Sequence, residues 1–196
     1  MFNNIPQAVL ERMQVLEALD ARHRKEGVPK LQALRQVVPE TGRFLALLAA
    51  GAPEGQWIEV GTSGGYSALW LSQACRVRKQ KLITFEILSE KVKLAEETFA
   101  LTATEEVIEL IAGDARQLLG EYRQVAFCFL DAEKDVSQDC YDLVVANLVP
   151  GGWLVADNVF SHQAELQPFV DAVLADDRVD AIVATIGKGL LVCRKR

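Results

Sequence analysis

The chain has 196 residues, half of them hydrophobic, with 21 Lys and Arg against 27 Asp and Glu and a formal net charge of −6. That length and apolar content suit one domain with a sizeable core. The acidic balance argues against a nucleic-acid partner, and no apolar run approaches the roughly 18 residues that span a bilayer.

The first predicted element is a helix: Val9, Leu10, Met13, Leu16 and Leu19 recur at helical spacing, and Gly27 stops the run. No basic region followed by an apolar core precedes it, so no signal peptide is expected. A second helical stretch runs from near Pro39 to Gly51. Beyond it, short apolar runs appear at Trp57–Val60, Leu82–Phe85, Val107–Ile111, Val125–Leu130, Trp153–Ala156, Ala181–Ile186 and Leu190–Cys193. Most are separated by helical periodicity, at Tyr66–Ala74, Lys91–Phe99, Tyr141–Leu148 and Leu166–Leu174. Continuous apolar strands joined by helices predict a parallel sheet covered on both faces. Only Gly187-Lys188-Gly189 separates the last two runs, too short for a parallel crossover, so that pair must be antiparallel. The expected fold is therefore α/β and Rossmann-like: seven strands, five of them parallel, a C-terminal antiparallel hairpin and extra N-terminal helices. The chain reads as a single domain, with an N-terminal helical segment over 1–38 and the core over 39–196. Cys75, Cys128, Cys140 and Cys193 form no Cys-x-x-Cys pair. They read as small buried hydrophobes of a reducing compartment, the cytoplasm.

The first strand ends in Glu59-Val60-Gly61-Thr62-Ser63-Gly64-Gly65-Tyr66-Ser67. Glycines there permit a sharp turn and a close approach of backbone to a ligand, at the sheet edge where open α/β folds bind ligands. Ser63 stands where a nicotinamide fingerprint wants glycine, and the Lys-Ser/Thr of a phosphate-binding P-loop is missing. The second strand closes on Glu86, roughly 20 residues further on, where a carboxylate can accept both ribose hydroxyls of an adenosine. A solvated acid opening the next helix is the competing reading. Gly113-Asp114-Ala115 after the third strand is placed to edge an adenine ring, and is equally a common helix start.

Asp131-Ala132-Glu133-Lys134 follows the fourth strand and Asp157-Asn158 the fifth. Asp131, Asp157 and Asn158 offer three oxygen ligands for a hard cation such as Mg²⁺. Adjacent residues on a strand face opposite ways, so Asp157 and Asn158 can share a metal only where the backbone has left the strand. Otherwise the pair caps the following helix, with Asp131 a solvated loop acid.

The glycine loop, Phe129-Leu130-Asp131-Ala132-Glu133-Lys134, Gly151-Gly152-Trp153-Leu154-Val155-Ala156-Asp157-Asn158 and the closing Gly187-Lys188-Gly189-Leu190-Leu191-Val192 together resemble the metal-dependent class I O-methyltransferases related to the catechol and caffeoyl-coenzyme A enzymes. The match runs from about Pro39 to the C-terminus. It implies S-adenosylmethionine as cofactor, contacted at Glu59, Gly61, Thr62, Ser67, Glu86, Ala115 and Glu133. It also implies a divalent cation, Mg²⁺ or Mn²⁺, held by Asp131, Asp157 and Asn158, with Lys134 as the base near the acceptor hydroxyl and a homodimer as the assembly. The sequence departs from that family after Asp157-Asn158, where Val159-Phe160-Ser161-His162 lacks the usual tryptophan. His162 stands at a substrate-contacting position, as a second candidate base or as a surface residue opening the last helix. The acceptor implied is a small hydroxylated, catechol-like aromatic. A phenol with a pKa of about 10 is a poor nucleophile at pH 7 until a bound cation acidifies it. Carboxylates around Lys134 would keep it protonated, which weights metal activation over the lysine. Two other readings stay open: a metal-independent small-molecule methyltransferase, and an adenosyl-ligand-binding module without turnover.

Overall fold

The computed structural model describes residues 1–196. Helix α1 (Gln7–Glu26) ends at Gly27, whose φ of 66° is the left-handed cap that glycine supplies. An irregular connector, 27–38, leads to α2 (Pro39–Ala50). Then come β1 (Gln56–Val60), α3 (Tyr66–Arg78), β2 (Leu82–Glu86), α4 (Ser89–Thr102), β3 (Ile108–Ala112), the short α5 (Ala115–Leu118), β4 (Val125–Leu130), α6 (Ser137–Val145), β5 (Leu148–Ala156), α7 (Gln163–Leu174), β6 (Val179–Ala184) and β7 (Leu190–Lys195). The seven strands form one sheet in the order β3-β2-β1-β4-β5-β7-β6, with β7 antiparallel to both neighbours and all other pairs parallel. This is the architecture expected from the sequence.

Strand alternation sorts the core into two layers. Trp57, Phe127, Phe129, Val155 and Val192 pack against α1, α2, α3 and α4 on one face. Ile58, Cys128, Leu130, Leu154 and Leu191 pack against α6 and α7 on the other. A register shift between Val125 and Phe127 puts consecutive Ala126 and Phe127 on the same face, a bulge at the start of β4. In α3 the first ten residues, Tyr66 through Cys75, are all buried, because sheet, α1 and α2 surround the helix.

The boundaries differ from the predicted ones where backbone geometry overrides the apolar pattern. β5 begins at Leu148 and runs through Pro150-Gly151-Gly152, with Gly151 at φ 79°, so the preceding helix is α6 over 137–145 rather than 141–148. The last strand connection has five residues, Thr185 to Gly189, because Ile186 and Gly189 close a turn and β6 ends at Ala184.

α1 uses its apolar stripe within its own chain. Val9, Met13 and Leu16 are at most 3% exposed and belong to the same apolar cluster as the sheet. Arg12 reaches across to Thr98 and Glu97 at 3.0 and 3.1 Å, and Tyr66 Oη donates to Glu17 at 2.5 Å. The helix is therefore not a detachable arm for a partner, since removing residues 1–27 would open the core. The four cysteines are free and buried. No helix is long and apolar enough to cross a membrane.

Candidate active site

β1 and β4 are sheet neighbours whose connections leave toward opposite faces, and at this switch point a cavity of about 540 Å³ opens. Gly61 sits at φ 101°, and a Cβ there would lie 2.4 Å from the Asp131 carbonyl oxygen. Only glycine lets the loops after β1 and β4 approach so closely. Gly65, at φ 89°, opens α3 without a side-chain cap. The first backbone N–H groups of α3 are thus left for another acceptor, and Gly64, Tyr66 and Ser67 line the cavity.

Glu86, at the tip of β2, is 7% exposed and lies on the cavity wall. Its Oε2 accepts the Ser63 N–H at 2.8 Å and its Oε1 the Leu88 N–H at 2.9 Å. These bonds fix the carboxylate and leave each oxygen a further lone pair for a ligand. Ala115 also lines the cavity, at the start of α5, where Asp114 caps the helix by accepting the Arg116 N–H at 3.0 Å. Gly113-Asp114-Ala115 is thus a helix start that also borders the cavity.

Glu59 differs from the expectation. It is wholly buried and stands behind the cavity wall rather than on it. A chain of hydrogen bonds links it to that wall: Thr84 Oγ1 donates to Glu59 Oε2 at 2.6 Å and meets Thr62 Oγ1 at 2.6 Å, and Thr62 faces the cavity. Burial pushes the Glu59 carboxyl up to about 7, the hydroxyls of Ser67 and then Thr84 offsetting only part of the effect. An acid whose pKa is raised on folding is a stability liability once it ionises. The protein should therefore lose stability as pH rises from about 4.5 toward 7 and stay lower above it. Glu59→Gln is expected to be more stable than the parent by about 3 kcal/mol at pH 8, with almost no gap at pH 4.5. Urea unfolding at the two pH values checks this. A gap of equal size at both would show that Glu59 does not ionise in this range.

Glu133 lines the cavity but is held by two cations from the connector, Arg35 and, at 3.5 Å, Lys30. Burial alone would raise its carboxyl; the two cations outweigh it and hold the group below the usual range. Ser63 Oγ donates to the Leu34 carbonyl at 3.0 Å, and Lys188 Nζ to the Gln36 carbonyl at 3.3 Å, which fastens the connector over the cavity. The sequence reading missed Arg35, Lys30 and Lys188. The connector has no periodicity, and Lys188 reads locally as a turn residue between two glycines.

At the other end, Asp131, Lys134, Asn158 and His162 share the cavity wall. Asn158, at φ 72°, has left the strand, as a shared ligand set requires. Its Nδ2 donates to Asp131 Oδ1 at 2.7 Å. Asp157 is 3% exposed, lies behind the wall, and has a buried Oδ1 without a partner. Burial, and then the charge of Asp131, push the Asp157 carboxyl up to about 7. Burial raises Asp131 too, against the pull of Lys134 and Lys188. No cluster of three His, Cys, Asp or Glu side chains forms here. The oxygen set is two carboxylates and an amide, and it fits a hard cation on two counts. The Asp157 oxygen is an orphan acceptor, and turning the Asn158 amide over would present Oδ1 beside Asp131. Lys134 Nζ donates to the Ala132 carbonyl at 3.0 Å and lies 3.5 Å from Asp131 Oδ1. His162 immediately precedes α7 and also faces the cavity. Its Nδ1 is 3.1 Å from Ser161 Oγ, and burial followed by the Lys134 charge lowers its pKa.

Residues 10–196 match the O-methyltransferase family. O-methyltransferase imqG of Aspergillus flavus is 29% identical over 182 residues, covering 81% of this chain and 71% of its own. A catechol O-methyltransferase of Niastella koreensis is 27% identical over 138 residues, 68% of this chain and 60% of its own. The SAH-bound Podospora anserina methyltransferase PaMTH1 shares the fold with a TM-score of 0.82 at 20% identity, over 98% of this chain and 89% of that one. TomG of Streptomyces achromogenes, solved with SAM, gives 0.78 at 22% identity, over 98% and 91%. This chain therefore belongs to the O-methyltransferase family.

Proposed function

We propose that this enzyme transfers the methyl group of S-adenosylmethionine to a hydroxyl of a small catechol-like aromatic, with a divalent cation assisting. One observation carries the reading. A single cavity joins the glycine loop, Glu86 and Ala115 at one end to Asp131, Lys134, Asn158 and His162 at the other. S-adenosylmethionine supplies the methyl group on a sulfonium sulfur and leaves as a neutral thioether. Glu86 accepts the ribose hydroxyls, and Ala115 borders the adenine. Gly61, Thr62 and Ser67 bring backbone and hydroxyl groups to the amino-acid end, with Glu133 beside them and Glu59 supporting Thr62 from behind. The cation, Mg²⁺ or Mn²⁺, would be held by Asp131, Asp157 and Asn158, and when bound it makes a phenolic hydroxyl more acidic.

The side chains then have separable tasks. Lys134 is engaged by Asp131 and a carbonyl, so it fixes the carboxylate in place rather than taking a proton. His162 stays neutral near pH 7. With its Nδ1–H donating to Ser161 Oγ, Nε2 is the basic nitrogen that accepts the hydroxyl proton. The acceptor oxygen bonds to the methyl carbon as the carbon–sulfur bond breaks, and the walls hold the two in line. The same Lys134 contact favours a second reading, a metal-independent methyltransferase in which Lys134 alone balances the charge of Asp131. Methyl transfer from S-adenosylmethionine to catechol, with and without a divalent cation, separates the two.

The free buried cysteines fit a reducing compartment, and we place the enzyme in the cytoplasm. We further propose a homodimer, the commonest soluble assembly, built on surfaces other than the apolar stripe of α1. Light scattering at micromolar concentration should give twice the 21.6 kDa chain mass, and a value at the single-chain mass overturns the dimer.

A further inference from the structure

Lys188 joins two segments that lie far apart along the chain. Its backbone carbonyl accepts the Phe160 and Ser161 N–H groups at 3.0 and 3.3 Å, which anchors the loop carrying Asn158 and His162. Its ammonium reaches the other way and donates to the Gln36 and Arg35 carbonyls of the connector at 3.3 and 3.5 Å. The turn between β6 and β7 is shaped to hold it there. A Cβ at Gly187 would lie 2.3 Å from Thr41 Oγ1, and one at Gly189 2.5 Å from Phe160 Cγ. The two glycines thus let the turn press against α2 on one side and against the Phe160 loop on the other.

The connector needs such a tie. Leu34, Arg35, Gln36 and Val37 all line the cavity, and none of them makes a backbone–backbone hydrogen bond. Arg35 stands at φ 53°, a left-handed conformation that arginine keeps only where its surroundings impose it. Besides the buried Leu34 and Val37, three side chains hold the segment: Ser63 at the Leu34 carbonyl, Glu133 at the Arg35 guanidinium, and Lys188. They act at different places. Ser63 belongs to the glycine loop and Glu133 to the segment after β4. Lys188 ties the connector to the loop of Asn158 and His162, and its charge is felt by Asp131 and Asp157.

We propose that, given methyl transfer to an acceptor beside Asp131 and His162 as read above, Lys188 is the residue that positions this acceptor. By tying Arg35 and Gln36 to the Asn158–His162 loop, it makes two separate walls of the cavity one rigid unit. The acceptor then enters a site whose width is already set, and ordering the connector costs nothing further on binding. Lys188 itself touches neither the methyl group nor the reacting hydroxyl. Its effect is on acceptor binding, equal before and at the transition state, and so belongs in KM rather than kcat.

Lys188→Met in the full-length protein tests this, since it removes the ammonium and keeps both glycines and both bonds to the Lys188 carbonyl. The KM for catechol should rise at least tenfold, the loss of one hydrogen bond to a charged group. Both kcat and the Kd of S-adenosylmethionine should stay within twofold. Lys188→Arg, which restores charge and donors, should bring KM back to within threefold of the parent. A second readout needs no turnover. Trypsin cleaves after Lys30 and Arg35, and its rate follows the fraction of time that the connector is open. Cleavage there should be at least tenfold faster in Lys188→Met and return to the parent rate in Lys188→Arg. Should Lys188→Met fail to fold, Lys188→Gln, polar but too short to reach the carbonyls, carries the same expectations. A fall in kcat at constant KM would assign Lys188 to the charge balance around Asp131 and overturn the proposal. A KM that arginine does not restore, or cleavage at the parent rate, overturns it equally. If the parent transfers no methyl group to catechol, the acceptor reading fails and the positioning role with it, while faster cleavage would still establish the tie.

Discussion

Glu86→Ala is expected to weaken S-adenosylmethionine binding at least tenfold while the fold remains intact. Two losses combine. The ribose hydroxyls lose a charged acceptor, and each such bond contributes roughly 1.5–3 kcal/mol, where 1.4 is a factor of ten. The Ser63 and Leu88 N–H groups also lose the oxygens that anchor them, so the glycine loop is no longer held in its ligand-ready shape. The core is untouched, since Glu86 lies at the strand end beside the cavity. Calorimetric titration reads the affinity and thermal unfolding the fold. Equal affinities for variant and parent would remove Glu86 from the site.

Local signals explain why Glu86 and its loop were legible in the sequence. A strand, a glycine turn and an acid at the next strand end are fixed by spacing along one stretch of chain, and the sheet then places them together. The contacts that the sequence hid are those between distant segments. Lys188 meets the Gln36 carbonyl across 152 positions, and Arg35 meets Glu133 across 98. No periodicity announces either. The link from Glu59 to Thr84 was hidden too, because which strand face carries Glu59 is settled only by the layers above and below. What packs on the α1 stripe was hidden for a similar reason. Amphipathic spacing states that a face must be buried and says nothing of what buries it. His162 both precedes the last helix and faces the cavity, two positions that one side chain can hold.

Removing divalent cations is expected to lower turnover on catechol at least a hundredfold, with full recovery on adding Mg²⁺ or Mn²⁺. A phenol with a pKa of about 10 is ionised in roughly one molecule in a thousand at pH 7, and a neutral His162 recovers only part of that deficit as a general base. The protein's own contribution is separable from the chemistry by stability. Asp157 keeps one buried oxygen without a partner, a penalty that a bound cation would relieve. The parent should therefore gain thermal stability with Mg²⁺, in proportion to the logarithm of its concentration above Kd. Asp157→Asn removes a buried charge at almost constant volume. It should fold at least as stably as the parent in chelator, gain nothing from Mg²⁺, and lose the same hundredfold in turnover. Asp131→Ala should match it in turnover, with no rescue by added cation. Undiminished turnover in excess chelator after dialysis would instead assign the charge balance at Asp131 to Lys134, 3.5 Å away, and make the metal-independent reading the mechanism.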